Sequence, residues 1–401
     1  MLLRTAFRWV PRFILGVAAL LLAGLLLSAG MGHWAGPPPP APVRWAADSA
    51  SVQTAAGPGY AAGRLWRGLW GQGYRALWAM PVTAPVLRLG PAAPGGLRPV
   101  RAGGNFQSNA LHLRSDDGRP FVLRSVNKDA SGRLPPGGLR YLFGPLLRDQ
   151  TRAGNPYGAY VAARLAAAAG VLHTNPQLVY LPSQPALGPF GAGFADALYL
   201  LEERPAGDAA QAATFGASPK IVSSVALLAS LGSRPPSAGT ARAYLRARLL
   251  DLWLGDWSRR ADQWRWALLP GPDGPEFHPI PRDRDQAFYQ FDDGFYPRLV
   301  AACVPKYQSF GPALSAAQVA GLARTARPLD RRLLAGLPRA AFQAEADSLQ
   351  RCLSDAQIDT ALATGPPEAR RLNVALLRAP LRARRAQLRE VAGWYFEAVR
   401  L

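Results

Sequence analysis

Lysine and cysteine are scarce in this chain. Of its 46 basic residues only Lys128, Lys220 and Lys306 are lysines, and the rest are arginines. There are two cysteines and four histidines, with no Cys-x-x-Cys pair and no Cys/His cluster, which excludes a zinc site of the usual spacing. Cys303 and Cys352 could form one disulfide or stay free thiols. A lysine retained in such a sequence is a candidate functional residue.

Acidic residues are also few. They number 26, so the formal net charge is +20 and the pI is about 11.0. Such a surplus could attract anionic lipid, nucleic acid or phosphate. We favour a general Ala/Arg bias over nucleic-acid binding, because the chain has neither zinc-finger spacing nor a basic tract interleaved with aromatics. No nucleic-acid partner is expected.

A long uncharged run, "FILGVAALLLAGLLLSAGMG", occupies residues 13–32 after Arg4, Arg8 and Arg12. About 20 apolar residues suffice to cross a bilayer as a helix. We therefore expect a transmembrane anchor at 13–32, with a cleaved signal peptide as the alternative. By the positive-inside rule, residues 1–12 form a basic cytoplasmic tail and the main domain is exported.

Residues 33–63 predict a Pro/Gly-rich linker, since "GPPPPAP" favours a stiff extended spacer. Beyond it, Trp66, Trp70, Tyr74 and Trp78 recur at every fourth position, the spacing of one helix face. This aromatic helix is expected to dock on the main domain. Lying in a membrane interface is the alternative.

The stretch from Arg101 to Asp129 reads as three strands, with a Gly-rich turn after the first. Gly103 and Gly104 have no Cβ, so their backbone N–H groups could approach phosphate oxygens. Lys128 ends the third strand, where nucleotide-binding β-lobes place a lysine that pairs with phosphates. A plain turn and a solvated lysine are the alternatives.

An alanine-rich helix is predicted at Pro156–Ala169, followed by two strands, "QLVYLP" and "ALYLLEERP". The predicted order is thus three strands, a helix and two strands. Glu202 and Glu203 fall where the last strand leaves the sheet. They could contact a base or ribose, or form a polar edge.

From about Gly207 the sequence is mostly helical, with a strong helix predicted at Thr240–Gly255. The loop "GDWSRRADQW" follows, and "EFHPIPRDRDQAF" reads as a strand that ends at Asp283 and Asp285. Two acids one residue apart at a strand end are a common way to hold Mg²⁺ beside phosphates, since hard cations take oxygen ligands.

Taken together, these motifs resemble a protein-kinase-like fold. "RSVNKD", "LEERP", "GDW…DQWRW" and "PRDRDQAF" are most similar to the atypical group that includes phosphatidylinositol-kinase-like, spore-coat and secretory-pathway kinases, in an exported form found in bacterial envelope proteins. The resemblance implies an α+β fold with two lobes behind the transmembrane helix. The antiparallel β N-lobe, with the aromatic helix, would span 64–205 and the mainly helical C-lobe 206–401.

The resemblance also implies roles for matching residues, with Mg²⁺ and ATP as cofactors. Gly103 and Gly104 would lie over the phosphates, and Lys128 would bind them. The metal would be held by three residues of the second half: Gln263, Asp283 and Asp285.

Two departures from the family pattern concern catalysis. Ser258 occupies the place of the catalytic Asp and Arg260 that of the His. Loss of a general base costs typically ~10²–10⁴-fold in rate. Asp256 and Asp262 flank the gap and are the candidate replacement bases. The helix after the strand lysine has no matching glutamate, and Asp149 is the nearest acid that could pair with that lysine.

Three functions follow as hypotheses. The first is a catalytically weakened kinase-like protein at the bacterial inner membrane, single-pass with a periplasmic main domain, that binds Mg-nucleotide or a related phosphate ligand. The second is an active atypical kinase that phosphorylates an envelope protein, lipid or glycan. The third is a structural envelope module that binds no nucleotide. Scarcity of ATP outside the cytoplasm argues against the second.

Overall fold

The computed structural model of the chain describes residue 19 and residues 21–31, 49–91, 95–104, 109–272 and 274–400. Within them the fold is α+β, as the sequence predicts. A five-stranded antiparallel sheet fills much of the first half, and helices dominate the C-terminal half.

The apolar N-terminal segment forms a helix, α1, described over residues 21–31. Among the described residues, no helix combines the length and apolar character that crossing a membrane demands. The prediction of a transmembrane anchor at 13–32 is therefore wrong for the described part of that segment. The membrane contact and the single-pass inner-membrane placement with a periplasmic main domain, which depended on it, are corrected with it. Residues 1–18 lie outside the described residues.

Packing accounts for part of the apolar run. Leu25 and Ala29 of α1 belong to an apolar cluster that also contains Trp70 and Leu146, and Ala29 is fully buried there. Tyr296 packs against the same cluster, with its ring stacked on Trp70 at a centroid distance of 4.9 Å. Leu25 and Ala29 of α1 are thus in contact with the rest of the protein, whereas Leu22, Leu26, Leu27 and Met31 are exposed.

The strands of the described residues are β1 (Ser51–Ala55), β2 (Pro81–Pro85), β3 (Arg98–Gly103), β4 (Ala110–Arg114), β5 (Pro120–Ser125), β6 (Gln177–Leu181), β7 (Ala197–Glu203), β8 (Ile221–Ser223), β9 (Trp264–Leu269) and β10 (Glu276–Pro281). The first of them, β1, lies inside the stretch predicted as a linker and pairs with β2.

After α1, the helices are α2 (Arg64–Trp70), α3 (Arg75–Ala79), α4 (Gly138–Asp149), α5 (Gly158–Ala168), α6 (Gly191–Phe194), α7 (Ser224–Leu231), α8 (Ala238–Leu254), α9 (Phe295–Cys303), α10 (Ala316–Ala323), α11 (Arg327–Leu334), α12 (Arg339–Cys352), α13 (Asp355–Leu362), α14 (Pro367–Ala386) and α15 (Leu388–Arg400). Short 3₁₀ turns connect several of them.

The main sheet has the strand order β3-β4-β5-β7-β6, with every neighbouring pair antiparallel. The predicted order of three strands, helical segment and two strands is confirmed, although α4 precedes the predicted helix, which forms as α5. One face of the sheet is apolar: Leu111, Leu123 and Tyr199 are buried there in a cluster of their own. This face supplies the local core of the first half.

The opposite face of the main sheet carries polar side chains. The strand register aligns Arg101 with His112, His112 with Val122, and Val122 with Glu202, so these four residues share a face. Arg124 lies two residues beyond Val122 and points the same way. An arginine and a buried glutamate on an inward face are costly unless they meet partners, so this face is positioned for charge.

Helix α8 is the centre of the second half. It begins with Ser237 as an N-cap and ends at Gly255, whose φ of 71° is the left-handed conformation that favours glycine at a helix C-terminus. Trp253 is fully buried, as are Trp264 and Trp266 of β9, in the same large core. Burying side chains of this size contributes about 1.5–3 kcal/mol each. The three-stranded sheet β10-β9-β8 is thereby fixed beside α8.

The aromatic segment before the main sheet docks on the protein as predicted, but as two short helices. Glycines at positions 71 and 73, with φ of 96° and 47°, break it between α2 and α3. The indole N–H of Trp78 donates to the Gly154 carbonyl at 2.9 Å, and the hydroxyl of Tyr74 donates to the Phe288 carbonyl at 2.5 Å. These bonds tie α3 to both halves of the fold.

Candidate functional site

A cleft of about 240 Å³ lies between the polar face of the main sheet and the segment that follows β10. Charged residues from both sides line it: Arg124, Lys128, Glu202, Asp283, Arg284 and Asp285. Residues far apart in sequence are thus brought together at the place where the two halves of the fold meet.

Arg124 is the cation that the main sheet itself contributes. It lies inside β5, and its Nη1 is 3.1 Å from Oδ2 of Asp283. Its Nε is 3.9 Å from Oε2 of the buried Glu202. Burial opposes ionisation of Asp283, but Arg124 and the neighbouring cations outweigh it and lower the pKa of that carboxyl. Asp283 is therefore ionised at neutral pH.

Lys128 lies three residues beyond the end of β5, not within it. Its ammonium pairs with the carboxylate of Asp285, and its carbonyl accepts a hydrogen bond from the Thr151 hydroxyl at 3.0 Å. Burial lowers the pKa of Lys128 to about 8, although Asp283 opposes the shift. The structure thus brings Lys128, Asp283 and Asp285 into one cluster, and adds Arg124 to it.

The acidic segment has an unusual backbone. Asp283 and Phe288 both adopt positive φ, 59° and 62°, which costs a bulky non-glycine residue on the order of 1 kcal/mol or more. The Asp283 carbonyl accepts from Nη2 of Arg259 at 3.1 Å, and the Phe288 N–H donates to the Leu254 carbonyl at 2.9 Å. Strain held in place by such bonds is typical of a functional segment.

Behind the cleft lies a buried cluster of charges that we call the buried ion cluster: Arg248, Asp251, Asp256, Arg259 and Asp330. All five are at most 1% exposed. The Nε of Arg248 is 3.0 Å from Asp330, and its Nη1 is 3.2 Å from Asp251. Asp256 pairs with Arg259. Burial raises the pKa of Asp256 despite that neighbour.

The buried ion cluster explains where the first candidate base lies. Asp256 also accepts from the Ser258 N–H at 3.0 Å, so both of its carboxylate oxygens are engaged. It does not line the cleft, and neither does Ser258. The geometry therefore gives Asp256 a structural partner rather than access to a ligand.

The other residues predicted from the same loop lie at the surface. Asp262 has a side chain that is 63% exposed and is 3.0 Å from Nε of Arg260. The Gln263 amide donates to Asp262 at 3.0 Å. Neither Asp262 nor Gln263 lines the cleft. The Gln263 carbonyl accepts from the Arg282 N–H at 2.9 Å, so its backbone lies next to the acidic segment, but its side-chain amide is bonded to Asp262 and no contact with Asp283 or Asp285 is formed among the described residues.

Asp149 is also engaged elsewhere. Its two carboxylate oxygens accept from Nη1 and Nη2 of the buried Arg75 at 2.7 and 2.6 Å. It also accepts from the Trp66 indole at 3.2 Å. The bond to Lys128 predicted from sequence is absent among the described contacts, and Asp149 instead fixes the aromatic segment.

Glu202 and Glu203 separate by strand alternation. Glu202 lines the cleft, whereas Glu203 faces Arg119, with 3.8 Å between Oε2 and Nη1. Gly103 ends β3, and a Cβ there would come within 2.7 Å of Nε2 of His112, so this glycine permits a close approach of that ring. Gly104 follows with φ of 111°, and residues 105–108 lie outside the described residues.

A Mg²⁺ ion in the cleft would be bound by two carboxylates, those of Asp283 and Asp285. In the described part of the chain, no group of three or more His, Cys, Asp or Glu side chains is placed to hold a metal. Asp283 and Asp285 have the oxygen donors that Mg²⁺ prefers, and Mg²⁺ is often held by one or two carboxylates plus phosphate oxygens. Each carboxylate now pairs with a cation, so a metal would have to share them with Arg124 and Lys128.

Sequence reasoning missed several cleft residues, among them the charged Arg124, Arg133 and Arg284. The Nε of Arg124 and both Nε and Nη1 of Arg284 are buried without a hydrogen-bond partner. Arg152, Arg259, Arg327 and Arg382 also have a buried Nε without a hydrogen-bond partner, but of these six arginines only Arg124 and Arg284 line the cleft, where a ligand could supply the acceptor. An arginine at an inward position of the apolar strand "FVLR", and another between two aspartates, were the signals in the sequence.

Aromatic rings form one wall of the cleft. Trp257 packs edge-on against Tyr307 and Tyr289, with centroid distances of 5.3 and 6.1 Å, and all three line the cleft. The ammonium of Lys306 lies 4.9 Å from the Trp257 ring centre. The cleft thus has an apolar wall next to the charged residues that line it.

No family model matches the chain, and neither does any curated protein. Among solved structures, it is similar to a crystal structure of a Helicobacter pylori proinflammatory kinase, CtkA. The two share 11% sequence identity with a TM-score of 0.35, over 76% of this chain and 95% of that one. A likeness at this level does not establish the fold class, the activity or membership of the atypical kinase group.

Proposed function

We propose that the cleft binds a phosphate-bearing ligand, a Mg-nucleotide or a related phosphate compound, in a kinase-like arrangement with weakened catalysis. The observation that carries the proposal is the set of buried guanidinium donors on Arg124 and Arg284 that have no acceptor of their own. Phosphate oxygens are strong acceptors for such donors. Asp283 and Asp285 would hold Mg²⁺, which supplies charge neutralisation between the carboxylates and the phosphates.

The location of the candidate bases supports the weakened catalysis. Asp256 is fully buried in an ion pair, Asp262 is largely exposed beside Arg260, and Ser258 has no charge to accept a proton. A general base must come within about 2.6–3.2 Å of the proton that it takes, directly or through a water. None of these three residues lines the cleft.

Calorimetric titration of the full chain with ATP and with inorganic tripolyphosphate, each as its Mg²⁺ complex, tests the proposal. Lys128→Met and Asp283→Asn should each raise the Kd by about tenfold or more, since each removes one charge that contacts the ligand or its metal. Asparagine tolerates the positive φ of position 283. Lys220→Met and Asp116→Asn, at exposed positions, are the matched controls. Absence of binding by both probes, or unchanged Kd in both cleft variants, would overturn the proposal.

A further inference from the structure

A row of arginines continues from the cleft along the polar face of the main sheet. We call it the arginine rim: Arg101, Arg204, Arg265 and Arg282, grouped around His112. Arg101 is directly opposite His112 in the sheet register. Arg204 lies two residues beyond Glu202, on the same face, and its N–H donates to the Pro120 carbonyl at 2.8 Å.

The other two members come from the second half of the fold. Arg265 is opposite Ile280 in the β9–β10 pair, and Arg282 follows two residues later, bonded through its N–H to the Gln263 carbonyl at 2.9 Å. Arg282 directly precedes Asp283, so the rim begins where the acidic segment begins. The rim therefore lies across the junction of the two halves, as the cleft does.

The rim has no close ion pair within the described part of the chain, although Asp262 and Asp283 act on Arg265 and Arg282 from farther away. Among the described residues, no carboxylate lies within 4.0 Å of the guanidinium group of any of its four arginines. Burial lowers the pKa of Arg282 to about 10, and Arg124 and Arg265 add to the shift. Burial and the neighbouring arginines, Arg204 first among them, lower the pKa of His112 to about 4. These groups are close enough to repel one another.

The rim is also partly enclosed. Arg204, Arg265 and Arg282 are half-buried, and Nδ1 of His112 is buried with no hydrogen-bond partner. Like charges in a partly desolvated place are costly, and a protein retains them where a ligand neutralises them. A short row of four arginines, three of them half-buried, suits a small anion better than an extended nucleic acid.

We propose that the arginine rim binds anionic groups of a small polyphosphate, so that the ligand carries phosphates both in the cleft and along the rim. This deepens the proposed function and rests on it for the inner half of the ligand. A nucleoside triphosphate presents a neutral base at its far end, whereas a phosphate-only chain presents charge throughout. The rim therefore favours the phosphate-only ligand.

The test is the double variant Arg204→Gln/Arg282→Gln in the full chain, with Arg370→Gln/Arg371→Gln at exposed positions as the matched control. Wild type should bind inorganic tripolyphosphate more tightly than ATP. The rim variant should raise the Kd for tripolyphosphate by about tenfold or more and that for ATP by less. It should also raise the Tm of the unliganded protein, because repulsion is removed. A purely structural role would lower the Tm.

The outcomes separate the two proposals. If Lys128→Met and Asp283→Asn weaken tripolyphosphate binding but the rim variant does not, the rim inference is overturned and the proposed function stands. If only the rim variant weakens binding, the arginine rim binds the anion and the proposed function is overturned, because the inner cleft then does not bind phosphate. Tighter binding of a single-stranded oligonucleotide than of tripolyphosphate would overturn the choice of a small ligand.

Discussion

The buried ion cluster and the arginine rim are built from the same residue type but differ in their partners. In the cluster, Arg248 and Arg259 each lie within 3.6 Å of Asp251 and pair with a second carboxylate as well. Along the rim, no carboxylate of the described residues lies within 4.0 Å of a guanidinium group, and Asp262 and Asp283 act only from farther away. The comparison teaches that an arginine-rich sequence does not reveal which arginines are structural. The balance of partners in the fold does.

The largest effect is expected from a substitution in the buried ion cluster, which should lower the free energy of unfolding. Arg259→Met would leave Asp251 and Asp256 short of a buried partner, and the loss of one partner of a buried pair costs about 3–5 kcal/mol. Urea unfolding should report a decrease of that order in the free energy of unfolding. Arg260→Met, one position along, removes a partly exposed pair and should cost no more than about 1 kcal/mol. Equal effects of the two variants would contradict the structural role of the cluster.

An effect of intermediate size is expected in the pH dependence of stability and of ligand binding, and it comes from Lys128. Lys128 has a pKa near 8 in the folded protein, below its ordinary value, so the unfolded state binds more protons between about 8 and 10.5. Its contribution to stability therefore rises with pH across that window. Affinity for tripolyphosphate should fall over the same window, because the neutral amine no longer attracts phosphate.

Titrations between pH 7 and 9.5 check this, with affinity falling by up to about tenfold per pH unit above 8. Lys128→Arg keeps its charge and should give a flatter profile. An identical profile in the two proteins would show that another group controls the pH dependence.

The smallest effect is expected at Asp262. Asp262→Asn removes one partner of an exposed ion pair and should change stability by less than about 1 kcal/mol. Binding of Mg·ATP should be unchanged, since Asp262 does not line the cleft. If wild type turned over ATP and this variant lost about 10²-fold or more of that rate, Asp262 would be a general base and the protein an active kinase.

Periodicity predicted the elements of this fold better than it predicted their contacts. The helix at 240–255 and the strands around Leu111 and Leu123 form where their apolar residues predict them, although α8 is buried on every side from Ala247 to Leu254 rather than on one face. The apolar run at 13–32 led to the wrong prediction of a transmembrane anchor, because the apolar composition of a segment does not show what the segment packs against. Leu25 and Ala29 contact an apolar cluster of the protein itself.

Residues of the candidate site could be predicted only where charged side chains directly follow the end of a strand. Asp283 and Asp285 were found in that way, and the fold places Lys128 beside them. Pairing between distant segments could not be predicted: Arg75 pairs with Asp149, and Arg248 pairs with Asp330. Single-sequence reasoning has no means of ranking such partners, because a carboxylate pairs with whichever cation the tertiary fold delivers.

The bond from Tyr74 to the carbonyl of Phe288 has a practical consequence for how this protein is produced. Phe288 closes the acidic segment, and Trp78, one helical turn after Tyr74, lines the cleft. An expression fragment that starts after residue 80 would retain every charged residue of the cleft, yet its acidic segment would lose a backbone anchor and its cleft a wall. Fragment boundaries for ligand screening should therefore be set upstream of β1, which begins at Ser51 and pairs with β2.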